Sequence, residues 1–91
     1  IQGFRCKDTQ ALFEGAVAAP LRAIASVAER KLAQLDAART LDFLRAPPGN
    51  RLEALEGDRA GQYSVRINDP WRLCFVWSDA GPLDVEIVDD H

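Results

Sequence analysis

The most regular stretch of the chain runs from Arg51 to Trp77, and it alternates apolar and polar residues. Tyr63, Val65 and Ile67 fall on one face of an extended segment, and Trp71, Leu73, Phe75 and Trp77 continue that face after a break. A period of two is the pattern of a half-buried strand. The opposite face carries Gln62, Ser64, Arg66, Arg72, Cys74 and Val76. The break is Asn68-Asp69-Pro70, a cluster of turn-forming residues. A loop of those residues pairs Ile67 with Trp71 and sets Arg66 directly across from Arg72. The whole stretch therefore predicts three short strands joined by two turns.

The flanking segments predict the rest of an α+β domain. Ile1 to Arg5 reads as an opening strand with Ile1 and Phe4 as its apolar residues. A short helix is expected from Asp8 to Glu14, capped by Asp8 or Thr9 and ended by Gly15, with Leu12 and Phe13 turned inward. Pro20 suits the first turn of a second helix. Leu21, Ile24, Val27, Ala28, Leu32 and Leu35 then recur at helical spacing, so the helix is expected over Leu21 to Ala38. Residues 40–50 form a connection with Leu41, Phe43 and Leu44 packed against the body, and Pro47-Pro48-Gly49-Asn50 launches the first central strand. Ser78 to Pro82 is a turn, and Leu83 to Val88 the last strand, with Leu83, Val85 and Ile87 on the core face. The expectation is one domain over residues 1–91. An N-terminal strand and two helices pack on one face of an antiparallel sheet of four to five strands. The other sheet face is left to water, carrying Arg66 and Arg72.

Bulk composition narrows the class. A chain of 91 residues, 47% hydrophobic and 27% charged, is long enough for one small core. No apolar run reaches the roughly 20 residues that span a bilayer, and no signal-peptide pattern opens the chain, so the cytoplasm is the expected location and no membrane partner is expected. The chain opens on Ile1 and contains no methionine; the initiator is expected to have been removed or to lie outside the sequence. Cys6 and Cys74 make no disulfide framework and no C-x-x-C pair; free thiols are expected, with a single bridge as the alternative. One histidine gives no basis for a zinc site, and no metal or other cofactor is expected. The net charge of −3 runs against wholesale binding of nucleic acid through its backbone. The charge is uneven, however. Residues 20–51 carry Arg22, Arg30, Lys31, Arg39, Arg45 and Arg51 against Glu29, Asp36 and Asp42, whereas residues 79–91 hold five carboxylates and no Lys or Arg.

The Arg66–Arg72 pairing is the first hint of chemistry. Like charges directly opposite on a ladder cost up to about 1 kcal/mol. Two forked guanidiniums side by side are suited to gripping an anion, most naturally a phosphate. The alternative is a pair of solvated arginines neutralised by nearby carboxylates.

The run NRLEALEGDRAGQYSVRINDPWRLCFVW, with VEIVDDH at the end, closely resembles HigB-type toxins of the RelE superfamily. CKDTQALFEG and SVAERKLAQLDAA also fit the opening helices of that family, so the resemblance covers nearly the whole chain. It implies a RelE-like fold and a small metal-independent endoribonuclease of a type II toxin–antitoxin system. Such an enzyme cleaves mRNA in the ribosomal A site by attack of the ribose 2′-hydroxyl on the adjacent phosphorus. Carried over by position, Arg72 of the Trp-Arg pair matches the phosphate-stabilising arginine of the family, and Arg66 is its companion. Asp89, Asp90 and His91 match the C-terminal Asp-Tyr-His of many members. His91 is the one side chain here whose ordinary pKa lies near neutrality, suiting a proton shuttle; the alternative is a frayed last residue. Arg51 and Arg59 are expected to contact RNA.

Three positions depart from the pattern. Asp90 stands where relatives have Tyr, Glu53 where some have His, and Glu56 where some have Lys. Loss of the ring removes a stacking surface, and added carboxylates repel RNA. Glu53 can instead serve as a general base. The departures predict slow cleavage, which Asp90→Tyr would restore. The resemblance also implies a HigA-like helix-turn-helix antitoxin, the ribosome and mRNA as partners, with operator DNA reached only through the antitoxin. Two other readings stay open: a ParE-like toxin that inhibits gyrase without hydrolysis, and a weakened toxin acting mainly as its antitoxin's repression partner.

Overall fold

The computed structural model describes residues 1–89. Helices α1 (Lys7–Phe13) and α2 (Ala25–Ala37) precede four strands: β1 (Glu53–Ala54), β2 (Gln62–Arg66), β3 (Trp71–Ser78) and β4 (Gly81–Asp89). The strands form an antiparallel meander in the order β1-β2-β3-β4. Two helices on a four-stranded antiparallel sheet give the α+β arrangement the sequence predicts. No helix among the described residues is long and apolar enough to cross a membrane.

The apolar stripe of the second helical segment makes the core. Leu21, Ile24, Ala28, Leu32 and Leu35 are buried with Val65, Ile67, Leu73, Phe75, Val85 and Ile87 of the sheet. Each fully buried Leu or Phe contributes roughly 1.5–3 kcal/mol through removal of apolar surface from water. The expected single helix is divided: Ala19–Ile24 winds as a 3-10 helix from Pro20, and the α-helix begins at Ala25. Lys31 is the exception on this stripe, three residues after Ala28 and only 5% exposed.

Other departures have local causes. The opening segment is a parallel bridge, Phe4 to Val85, along the free edge of β4, bonded by Gln2 N to Pro82 O (2.7 Å) and Arg5 N to Val85 O (3.0 Å). It covers an edge that would otherwise expose unpaired backbone groups. Helix α1 starts at Lys7 without a side-chain cap. Thr9 is instead fully buried, and its hydroxyl accepts a hydrogen bond from Ile87 N at 3.0 Å, tying α1 to β4. Phe13 is more exposed than expected, at 38%, with its ring against Phe4. In a two-turn helix Thr9 and Leu12, three apart, take the inner face and Phe13 falls beside it. The 3-10 helix at Asp42–Arg45 similarly buries Leu44 and leaves Phe43 exposed. Strand β1 begins only at Glu53 because Arg51 adopts a left-handed conformation (φ 47°), which no strand accommodates. In β4, Asp84 has φ 52°, opposite a register shift between Cys74 and Val76. This irregularity pairs Leu83 with Val76, so Leu83 joins the outer face rather than the core face.

The largest correction concerns that outer face. It was expected to be open to water, yet Ser64 and Cys74 are 0% and 3% exposed and Gln62 is buried too. Residues 55–59 fold back over it: Leu55 N bonds Gln62 O at 2.8 Å, and Gly57–Arg59 turns as a 3-10 helix.

Candidate functional site

Cross-strand register places the outer-face side chains in rows. Glu53, Ser64, Cys74 and Glu86 form one row across all four strands, and Arg66, Arg72 and Val88 form the next. Side chains opposite one another on such a ladder stand about 4.5–5.5 Å apart at Cβ. Arg66 is thus paired with Arg72, as the alternation predicts, and both are half-buried.

The cover over this face is held by Arg59. Its Nη1 donates to Gln62 Oε1 (3.0 Å) on β2 and to Glu86 Oε1 (2.9 Å) on β4, spanning β3 between them. Under the cover lies a pocket of about 120 Å³ lined by Glu53, Leu55, Arg59, Arg72, Cys74 and Val88. Leu55, Cys74 and Val88 make its apolar wall, while Glu53, Arg59 and Arg72 bring one carboxylate and two guanidiniums to it. Cys6 and Cys74 are not joined by a disulfide.

Beyond the pocket, Arg66 belongs to a second group at the β2–β3 turn. Ile67 N and Asn68 N both donate to Trp71 O (3.0 and 3.2 Å), and Trp71 N donates to Asn68 Oδ1 (3.4 Å), closing the loop. Asp69 at its tip accepts a hydrogen bond from Arg66 Nε at 3.4 Å. That bond and then the charge of Arg66 hold the Asp69 carboxyl below its ordinary value of 3.8; desolvation opposes them, and the charges of Arg51 and Arg72 add smaller lowering effects. Arg51, Arg66 and Arg72 therefore act on one carboxylate.

This group is anchored to the helix layer through Asn50, which is 1% exposed. Its carbonyl accepts from Arg66 N at 2.6 Å. Its side-chain amide donates to Leu44 O (3.1 Å) and Gln34 Oε1 (3.3 Å), and its Oδ1 accepts from Lys31 Nζ. Burial, and then the charges of Arg30 and Arg66, push the Lys31 amine below its ordinary value of 10.5. A buried amine has its charged form disfavoured by desolvation.

Of the residues singled out from sequence, Glu53, Arg59 and Arg72 meet in the pocket, and Arg51 and Arg66 gather at the turn. Asp89 ends β4 opposite Trp71, one residue beyond Val88 of the pocket wall. Asp90 and His91 lie outside the described residues. Lys31, Asn50, Gln62 and Asp69 were not singled out. For Lys31 the signal was present, a cation on an apolar helical stripe. For Asn50 and Gln62 it was not, because their roles arise from long-range packing.

Comparison with known proteins bears on this arrangement. A family model described as a RelE-like toxin of the type II toxin–antitoxin system HigB matches residues 12–91. Toxin HigB-1 of Vibrio cholerae serotype O1 is 48% identical over 62 residues, covering 68% of this chain and 64% of that protein. An uncharacterized protein of Haemophilus influenzae is 38% identical over 53 residues, covering 58% of this chain and 52% of that protein. The matched stretch thus spans less than two thirds of either relative.

Proposed function

The chain belongs to the HigB-like family of RelE-like toxins of type II toxin–antitoxin systems, and from that premise we propose that it is a ribosome-dependent mRNA endoribonuclease whose working surface is the outer face of the sheet. The observation that carries the proposal is the meeting of Arg72, Arg59 and Glu53 in one pocket, with Arg66 paired to Arg72 beside it.

The reaction proposed is an internal transfer at phosphorus. The ribose 2′-oxygen forms a bond to the neighbouring phosphorus and its proton passes to a general base. The bond from phosphorus to the 5′-oxygen breaks, and that oxygen receives a proton. The products are a 2′,3′-cyclic phosphate and a 5′-hydroxyl end, so atoms and charges balance. Such a reaction needs in-line positioning, proton transfer and neutralisation of charge on the phosphorane. Arg72 supplies the neutralising guanidinium, forked to match phosphate oxygens. Glu53, which lines the pocket with Arg72, is assigned the 2′-hydroxyl proton, and His91 the proton given to the leaving oxygen. Asp89 and Asp90 lead to it along the chain. Arg51 and Arg66 extend the grip along the RNA backbone, while Arg59 forms part of the pocket wall.

The partners proposed are the ribosome with its bound mRNA, and a HigA-like helix-turn-helix antitoxin that neutralises the toxin and alone contacts operator DNA. Induction of the chain in bacteria, followed by mapping of transcript ends, tests the reading. Cuts phased with the reading frame are the expected result. Growth arrest with DNA damage and intact transcripts would establish gyrase inhibition instead, and unimpaired growth an inert partner of the antitoxin.

A further inference from the structure

We infer that Lys31 is a positioning residue for the outer face: from within the helix layer its amine holds Asn50, and Asn50 fixes where Arg51 and the end of β2 stand. The inference rests on the outer face being the RNA-cleaving surface, and it gives a part in that reaction to a buried residue of α2.

Lys31 is an unfavourable residue for its place. It lies on the buried stripe of α2, 5% exposed, between Ala28 and Leu32. Among the described residues no carboxylate comes within ion-pair distance of it. The charges that act on it are those of Arg30 and Arg66, both of its own sign. A buried cation without a counter-ion costs stability, and an apolar side chain of similar volume, such as Met, would avoid that cost.

What the amine holds is Oδ1 of Asn50. Asn50 is 1% exposed, and its amide is engaged as well, donating to Leu44 O at 3.1 Å and Gln34 Oε1 at 3.3 Å. A side chain held at both ends fixes its own backbone, with two consequences for the outer face. The Asn50 carbonyl accepts from Arg66 N at 2.6 Å, at the rung where Arg66 faces Arg72. The next residue, Arg51, is turned into the left-handed region (φ 47°), which a non-glycine residue keeps only where its surroundings impose it. An uncompensated buried charge and a strained backbone thus stand together behind the arginines assigned to the RNA backbone. Stability given up in this way marks a place whose geometry is held for function.

Loss of the donor should therefore damage the reaction and spare the fold. The assay is cleavage of mRNA on programmed ribosomes by the full chain, with urea unfolding at the same pH beside it. Lys31→Met is expected to lower kcat/KM about ten-fold, chiefly through KM, because Arg51 and Arg66 are assigned to binding. Its urea midpoint is expected to equal or exceed the parent's, since the buried charge leaves with the donor. Lys31→Gln removes the same charge but keeps an N–H donor, and is expected to recover most of the lost rate. In a chain already carrying Arg51→Ala and Arg66→Ala, Lys31→Met is expected to add less than about a two-fold further loss. Lys31→Leu is the second variant without a donor.

Parental kcat/KM in Lys31→Met and Lys31→Leu overturns the inference, as do equal losses in Lys31→Met and Lys31→Gln. So does a loss that matches a lowered urea midpoint, or one that persists undiminished without the two arginines. A parent chain that leaves the mRNA intact defeats the RNA-cleaving reading instead. The carboxyl NMR titration of Asp69, on which Arg51 and Arg66 both act, then decides the positioning. Movement of Asp69 toward 3.8 that is larger in Lys31→Met than in Lys31→Gln supports it, and equal movement overturns it.

Discussion

The two faces of the sheet are both largely buried, but by different chemistry. The inner face puts the apolar side chains of Val65, Ile67, Leu73, Phe75, Val85 and Ile87 into the core with those of α2, and Lys31 and Thr9 are polar exceptions buried beside them. The outer face hides Gln62, Ser64 and Cys74 beneath a short segment held by the Arg59 bridges to Gln62 and Glu86. Apolar burial drives folding, whereas buried polar groups must be satisfied and contribute little net stability. The inner face therefore supplies the stability that lets the outer face carry paired arginines and a partly polar pocket.

Substitutions on the two faces should separate in what they damage. Phe75→Ala, at a fully buried inner position, is expected to cost about 3–5 kcal/mol in urea or thermal unfolding, a large share of the stability of so small a domain. On the outer face, Arg72→Lys keeps the charge but loses the fork. It is expected to slow cleavage by roughly 10²–10³-fold while leaving unfolding within about 1 kcal/mol of the parent. Were Arg72→Lys to unfold the chain as Phe75→Ala does, the division between the faces would be wrong.

Lys31 joins the two regions and has a pH signature. Its folded-state value lies below 10.5, so the unfolded chain holds that proton more tightly than the folded one. Stability then rises with pH across the window between the folded value and 10.5, and the penalty is fully present below that window. Lys31→Met removes this dependence. Relative to that variant, the parent is expected to gain stability as pH rises from neutral toward 10.5, measured by urea unfolding at several pH values. The smallest effect belongs to the Asp69 turn. Its carboxyl is held below 3.8 by Arg66, so its stabilising pair is present above 3.8 and lost as pH falls through the lower folded value. A carboxyl NMR titration should find Asp69 moved upward in Arg66→Ala.

How much of this was legible in the sequence follows from the same contrast. Alternation from Tyr63 to Trp77 sufficed for β2, β3 and the Arg66–Arg72 pairing, because strand period and turn length fix register. The stripe from Leu21 to Leu35 likewise sufficed for the buried face of the helical layer, but not for its division into a 3-10 helix up to Ile24 and an α-helix from Ala25. The cover on the outer face was not legible. Leu55 and Arg59 lie in a segment without periodicity, and Arg59 acts on Glu86, 27 residues away. The burial of Lys31 depends on meeting Asn50 across 19 residues, and the displacement of Leu83 depends on one irregular residue, Asp84. Local patterns identify elements, whereas the pocket is made by contacts between them.

The most direct test of the outer face as an RNA-cleaving surface is end-group analysis on ribosomes programmed with defined mRNA and treated with the purified chain. Cleavage should leave a 2′,3′-cyclic phosphate and a 5′-hydroxyl, and a single 2′-deoxy substitution at the nucleotide preceding the cut should abolish it. Cleavage that persists at the deoxy position, or absence of cleavage in both messages, would contradict the account.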